Sequence, residues 1–121
     1  WSTEKSISIS PSEQRNTTTP ITLLIGPITA SAAETFALGM KSLSQTKIIG
    51  ESSMGIFSDQ FPRKLPNGWW ITLSNELILS PYKLSYEGIG VPVNYHAPFP
   101  FLSILGNNIF PGIDAAVSIN S

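Results

Sequence analysis

The stretch Ile21-Thr22-Leu23-Leu24-Ile25-Gly26-Pro27-Ile28-Thr29-Ala30-Ser31-Ala32-Ala33-Glu34 decides the fold. Its first five residues form a short apolar, β-branched run closed by Gly26-Pro27, the pattern of a buried strand. From Ser31 onward the apolar residues Ala33, Phe36, Ala37, Met40 and Leu43 recur at helical spacing. Lys41 stands near the end of that run, where a cation complements the negative pole of a helix dipole. Lys47-Ile48-Ile49-Gly50 is a second buried-strand pattern. Strand, helix and strand within about thirty residues predict a right-handed βαβ unit with its crevice at the carboxyl end of the first strand.

Further along, Pro66-Asn67-Gly68 lies between Phe61–Leu65 and Trp69–Leu73, and Asn-Gly in that setting predicts a β-hairpin. Trp69, Ile71 and Leu73 alternate with Trp70, Thr72 and Ser74, which suits a strand with two unlike faces. Of the paired tryptophans, one is therefore expected in the core and one in solvent. Leu77–Leu79 reads as another short strand, and Asp114–Ile119 as a short final helix after a Pro- and aromatic-rich passage to Phe110. Residues 1–20 are polar, opening at Trp1 without a methionine, and read as the lead-in of a fragment.

With 121 residues and 41% apolar content, the chain suffices for one modest core. Seven basic against eight acidic residues give a net charge of −1, and only 12% of the chain is charged, so no nucleic-acid partner is expected. Ile21–Ile28 is too short to span a bilayer, and no stable membrane insertion is expected. The absence of cysteine removes disulfides, thiolate catalysis and cysteine-ligated zinc. One histidine and scattered carboxylates offer no ligand spacing for a metal, and no Gly-rich nucleotide loop occurs, so no cofactor is expected.

Ser31 stands where a buried strand gives way to a helix. Free N–H groups of a first helical turn donate to an oxyanion, and the positive end of the dipole favours developing negative charge. Ala30, Ala32 and Ala33 allow a substrate backbone to approach closely. Ser31-x-x-Glu34 is also a capping box, and on local sequence alone that is the commoner meaning. The G-x-S-x-G elbow is absent.

Thr29-Ala-Ser-Ala-Ala-Glu34 resembles the Ser-Ala-Ser-Ala-Ser-Glu segment of the tail-specific, C-terminal processing proteases, whose attacking serine falls at Ser31. The resemblance continues through Ile48-Ile-Gly-Glu51, Gly55, Leu65-Pro-Asn-Gly68 and Tyr86-Glu-Gly-Ile-Gly-Val-Pro92. It implies a ClpP/crotonase-like α/β fold, a layered βαβ core with an added β-hairpin. It divides the chain into a lead-in (1–20), the nucleophile-bearing core (21–98) and a C-terminal tail with a short helix (99–121). It also implies a serine endopeptidase in which Ser31 attacks a peptide carbonyl and the Ala32 N–H donates to the oxyanion. The partners implied are a peptide or protein substrate and a missing N-terminal part of the same protein. The setting implied is bacterial, periplasmic or extracellular.

The Ser/Lys branch of that family carries its lysine base in Phe-Gly-Lys-Gly, and here Met54-Gly55-Ile56-Phe57 puts isoleucine at that position. Lys41, Lys47 and Lys64 match no motif and read as solvated lysines. The branch typified by tricorn protease, to which the photoreceptor-matrix retinoid-binding proteins are akin, uses a histidine with a supporting glutamate in a Glu-x-x-Gly-Val context. Glu87-Gly-Ile-Gly90-Val91 matches it, so the resemblance gives Glu87 that role. Asn94 stands where many relatives have aspartate. The family's histidine lies upstream of this segment, and His96 matches none of its motifs, so the chain alone is expected to be inactive. The competing expectation is a non-catalytic module of the same fold that binds apolar ligands or peptides.

Overall fold

In the computed structural model, residues 3–8, 10, 12–13, 18–99 and 111–120 are described. Strand β1 (Ile21–Ile25) leads into helix α1 (Ala32–Lys41), which returns the chain to β2 (Thr46–Gly50). The two strands pair in parallel, from Ile21 opposite Thr46 to Ile25 opposite Gly50, so the predicted strand–helix–strand unit is present. The chain then makes β3 (Gln60–Lys64), β4 (Trp70–Ser74), β5 (Tyr95–His96) and α2 (Pro111–Asn120). Strand β5 adds in parallel to the free edge of β2, giving the order β1-β2-β5. The architecture is mixed α/β.

The strands face two ways. Ile25 and Ile48 join Ala37 and Leu38 of α1 in a cluster with Phe57 and Val91, and Leu23 packs against it. Leu24 faces the other side, near Gly112 of α2, and α2 packs on β1 and β2 there. Elements lie on both faces of these strands, and the apolar residues Leu23, Leu24 and Ile25 of β1 and Ile48 and Ile49 of β2 supply the contacts. The final helix begins at Pro111, earlier than Asp114, because proline's fixed φ and missing N–H suit a first helical position. The Pro- and aromatic-rich passage at 100–110 lies outside the described residues.

Helix α1 turns a different face inward than its apolar spacing predicts. Glu34, Ala37 and Leu38 are buried, whereas Phe36 is 59% exposed. The inward stripe also includes Lys41, which is half-buried and donates from Nζ to the Pro92 carbonyl at 3.0 Å, so it is not a solvated lysine. Charged groups occupy the inner face because each finds hydrogen-bond partners there. Lys47 lies over the Tyr95 ring, 6.0 Å from its centroid, and Lys64 is exposed.

The predicted hairpin forms, with Gln60 opposite Ser74 and Lys64 opposite Trp70. Gly68, at φ 88°, takes the turn position that an L side chain disfavours. Every residue of β3 and β4 is exposed, and Trp69 and Trp70 are exposed at 73% and 64%. The expected division into one core and one solvent tryptophan is corrected, because the hairpin is a separate two-stranded sheet that does not pack on the core cluster. The strand expected at Leu77–Leu79 is reduced to an isolated bridge between Leu79 and Ser85. Inside that bridge the Ser80 hydroxyl accepts the N–H groups of Tyr82 and Leu84 and closes a tight turn.

Candidate functional site

The segment that carries Ser31 begins at the carboxyl end of β1. Thr29 closes the turn after the strand, its hydroxyl accepting the Gly26 N–H at 3.1 Å while its carbonyl takes the Met54 N–H at 2.8 Å. Two residues later Ser31 has φ 57° and ψ −125°, the first corner of a mirror-image turn, where glycine is the usual occupant. Ser31 is exposed. Ala32 opens α1, and its N–H has no acceptor among the described residues. A hydroxyl held at a helix N-terminus beside an unoccupied N–H suits a nucleophile next to an oxyanion site.

Ser31 and Glu34 stand in the capping-box arrangement that the sequence predicts. Glu34 Oε2 accepts the Ser31 N–H at 3.1 Å and the Ile56 N–H at 2.8 Å. Its Oε1 accepts the Ser53 hydroxyl at 2.5 Å and the Gly55 N–H at 2.7 Å. The side chain is fully buried. A buried carboxylate is costly unless its lone pairs are filled, and here four donors fill them. Because the Ser31 N–H is also bound to the Ile56 carbonyl at 2.9 Å, the Ala32 N–H is the one left open at the helix start.

Glu87 is half-buried, and its Oε2 accepts the N–H groups of Phe57 at 3.0 Å and Ser58 at 3.2 Å. Two carboxylates thus divide four consecutive amides, Glu34 taking 55 and 56 and Glu87 taking 57 and 58. Glu87 is brought to the loop whose Ile56 carbonyl holds Ser31, and its Oε1 makes no hydrogen bond among the described residues. Ile56 itself is 46% exposed.

Two other positions have structural explanations. Asn94 accepts the Ile48 N–H on Oδ1 and returns its own N–H to the Ile48 carbonyl, both at 2.8 Å. An amide oxygen serves that purpose as well as a carboxylate. The His96 side chain is 69% exposed, with Nε2 at 3.6 Å from Glu51 Oε1, and it has no hydrogen bond to Ser31. An apolar cavity of about 360 Å³ opens between the sheet and α2, lined by residues that include Leu24, Ile28, Ile49 and Phe99, but Ser31 does not line it. Among the described residues no three His, Asp or Glu side chains gather as a metal site.

Sequence reasoning missed Ser53, which is 6% exposed and joins Glu34 to the segment after Glu87. A lone serine in a loop carries no signal of that placement.

The profile of peptidase family S41 matches residues 2–97. The chain belongs to peptidase family S41. This is the family of the tail-specific, C-terminal processing proteases. Among solved structures, the S41 chain is similar to a protein of Parabacteroides merdae described as a peptidase. The TM-score is 0.78 at 25% identity, over 92% of this chain and 35% of that one. It is also similar to the photosystem II D1 C-terminal processing protease (TM-score 0.58, 26% identity, 67% of this chain and 21% of that one). Tricorn protease shares the fold, with a TM-score of 0.67 at 21% identity over 83% of this chain and 10% of that one. The S41 chain therefore spans about a third or less of the length of these proteins. No curated protein matches it. No helix among its described residues is long and apolar enough to cross a membrane.

Proposed function

We propose that this chain is the nucleophile-bearing core of a serine endopeptidase of ClpP/crotonase-like fold, with Ser31 attacking peptide carbonyls. The observation that carries this reading is Ser31 itself, an exposed residue held at φ 57° at the start of a helix, beside the open Ala32 N–H. A serine is not needed in that conformation for folding, since glycine adopts it without strain. As the Oγ–carbon bond forms, the proton leaves Oγ for a base and the carbonyl oxygen gains charge beside the Ala32 N–H. Glu87 has a free oxygen with which to orient the base through a further polar group. The base in this reading is a histidine from outside these 121 residues, because Ile56 cannot take a proton and His96 faces Glu51. Peptides or proteins are the substrates, and the resemblance favours a setting outside the bacterial cytoplasm.

The test is covalent labelling of the full-length protein with a fluorophosphonate probe, alongside cleavage of fluorogenic casein. Both are expected to vanish in Ser31→Ala, and labelling that survives this substitution refutes the reading. The apolar cavity beside α2 favours a second reading, a non-catalytic module that binds apolar molecules. Saturable binding of a fluorescent fatty acid, together with no Ser31-dependent labelling, would support that reading instead.

A further inference from the structure

We propose that Ser53 is a positioning residue that sets the Glu87-bearing turn relative to the nucleophile; this inference rests on the roles just given to Ser31 and Glu87. The Ser53 hydroxyl is buried and used at both ends. It donates to Glu34 Oε1 at 2.5 Å and accepts the Val91 N–H at 2.6 Å. The Ser53 N–H adds a longer bond to the Val91 carbonyl, at 3.4 Å. The backbone of Gly90 lies so close that a Cβ there would stand 2.0 Å from the Ser53 carbonyl oxygen.

Gly90 and Ile89 both donate to the Tyr86 carbonyl, at 2.9 and 3.0 Å, so Tyr86–Gly90 is one compact turn with Glu87 inside it. Ser53 therefore fastens the turn that carries Glu87 to the same carboxylate that holds the Ser31 N–H. A second route joins the two sites through the amides of 55–58, shared between Glu34 and Glu87. The second route runs through the loop amides and the Gly88 N–H, which donates to the Gly55 carbonyl at 2.8 Å, while the route through Ser53 is a single buried side chain. Deleting the hydroxyl breaks that route at both ends. Since Ser53 is 6% exposed, it acts through Glu34 and Val91 and not on substrate.

The experiment uses the full-length protein and the variants Ser53→Ala and Ser53→Thr, each verified as folded by its melting curve. The readouts are kcat and KM on fluorogenic casein and the rate of fluorophosphonate labelling of Ser31. Displacement of a supporting group by about an ångström costs on the order of a hundredfold. Ser53→Ala is accordingly expected to lower kcat and the labelling rate together by roughly 10- to 100-fold with KM changed less than about threefold. Ser53→Thr, which keeps the hydroxyl, is expected to restore most of both. A purely stabilising role would lower the melting temperature and leave the kcat of folded molecules unchanged. A folded alanine variant within about twofold of the parent, or a folded threonine variant as slow as alanine, overturns the proposal. Should Ser53→Ala fail to fold, Ser53→Cys keeps the volume, weakens both bonds and is read in the same way. If Ser31→Ala leaves labelling intact, the proposed function has failed; if it abolishes labelling while Ser53→Ala does not slow it, only the role of Ser53 has.

Discussion

A serine at φ 57° places a Cβ where the backbone tolerates one poorly, at a cost of about 1–3 kcal/mol. Ser31→Gly is therefore expected to raise stability by about 1 kcal/mol, after allowing for the greater freedom of glycine in the unfolded chain, while abolishing fluorophosphonate labelling. Denaturant melts of the two proteins check this, and a loss of stability would show that the side chain contributes more than its conformation costs. Glu87 differs because its Oε2 is already in use by the Phe57 and Ser58 amides. The single carbonyl oxygen of glutamine can still accept both. Glu87→Gln should accordingly keep the melting temperature within a few degrees and lower turnover by tens to thousands fold, the range for groups that orient a base. Unchanged turnover would leave Glu87 as a loop anchor alone.

At the scale of elements, the hairpin and the parallel sheet stand at opposite ends of the stability range. A two-stranded hairpin is marginal by itself, and here neither strand is buried at any residue. Space is open around Gly68, so Gly68→Ala costs only the strain of a left-handed alanine, about 1 kcal/mol. Hydrogen exchange should speed about fivefold at Leu65, whose N–H donates to Trp69, and stay unchanged at Ile48 in the sheet. Equal acceleration at both amides would mean that the hairpin opens only when the whole fold does. The same contrast explains what the sequence made legible. Strands β1 and β2 could be read because each carries a short apolar, β-branched stretch, and the hairpin because Asn67-Gly68 dictates its turn. The inner face of α1 could not be read, since Glu34 and Lys41 occupy it and their partners come from residues 53–56 and 92, distant in sequence. The exposure of Trp69 and Trp70 was equally hidden, because alternation tells two faces apart without saying whether either is covered. At the site, the position of Ser31 was visible in the strand–serine–helix pattern, but its positive φ and the buried Ser53 link depend on tertiary contacts.

For the molecule as a whole, the question is whether these 121 residues hold a complete catalytic set. A serine nucleophile needs a proton acceptor in hydrogen-bond reach, oriented by a third group. The single histidine, His96, directs Nε2 toward Glu51 at 3.6 Å from β5, with most of its side chain in solvent. Lys41 is engaged with the Pro92 carbonyl, and Ile56 has no basic atom. Ser31 therefore has a helix N-terminus and an open N–H beside it, but no acceptor for its proton among the described side chains. The 121-residue chain alone is expected to give no Ser31-dependent cleavage of fluorogenic casein, and His96→Ala is expected to leave turnover of the full-length protein within about twofold of the parent. The two measurements address different links: the first asks whether the set is incomplete, the second whether His96 belongs to it. Cleavage by the chain alone that disappears in both Ser31→Ala and His96→Ala would place the base on β5. It would require the His96 ring to leave Glu51 and swing toward α1, a movement that the exposure of the ring permits but that no contact in the fold favours.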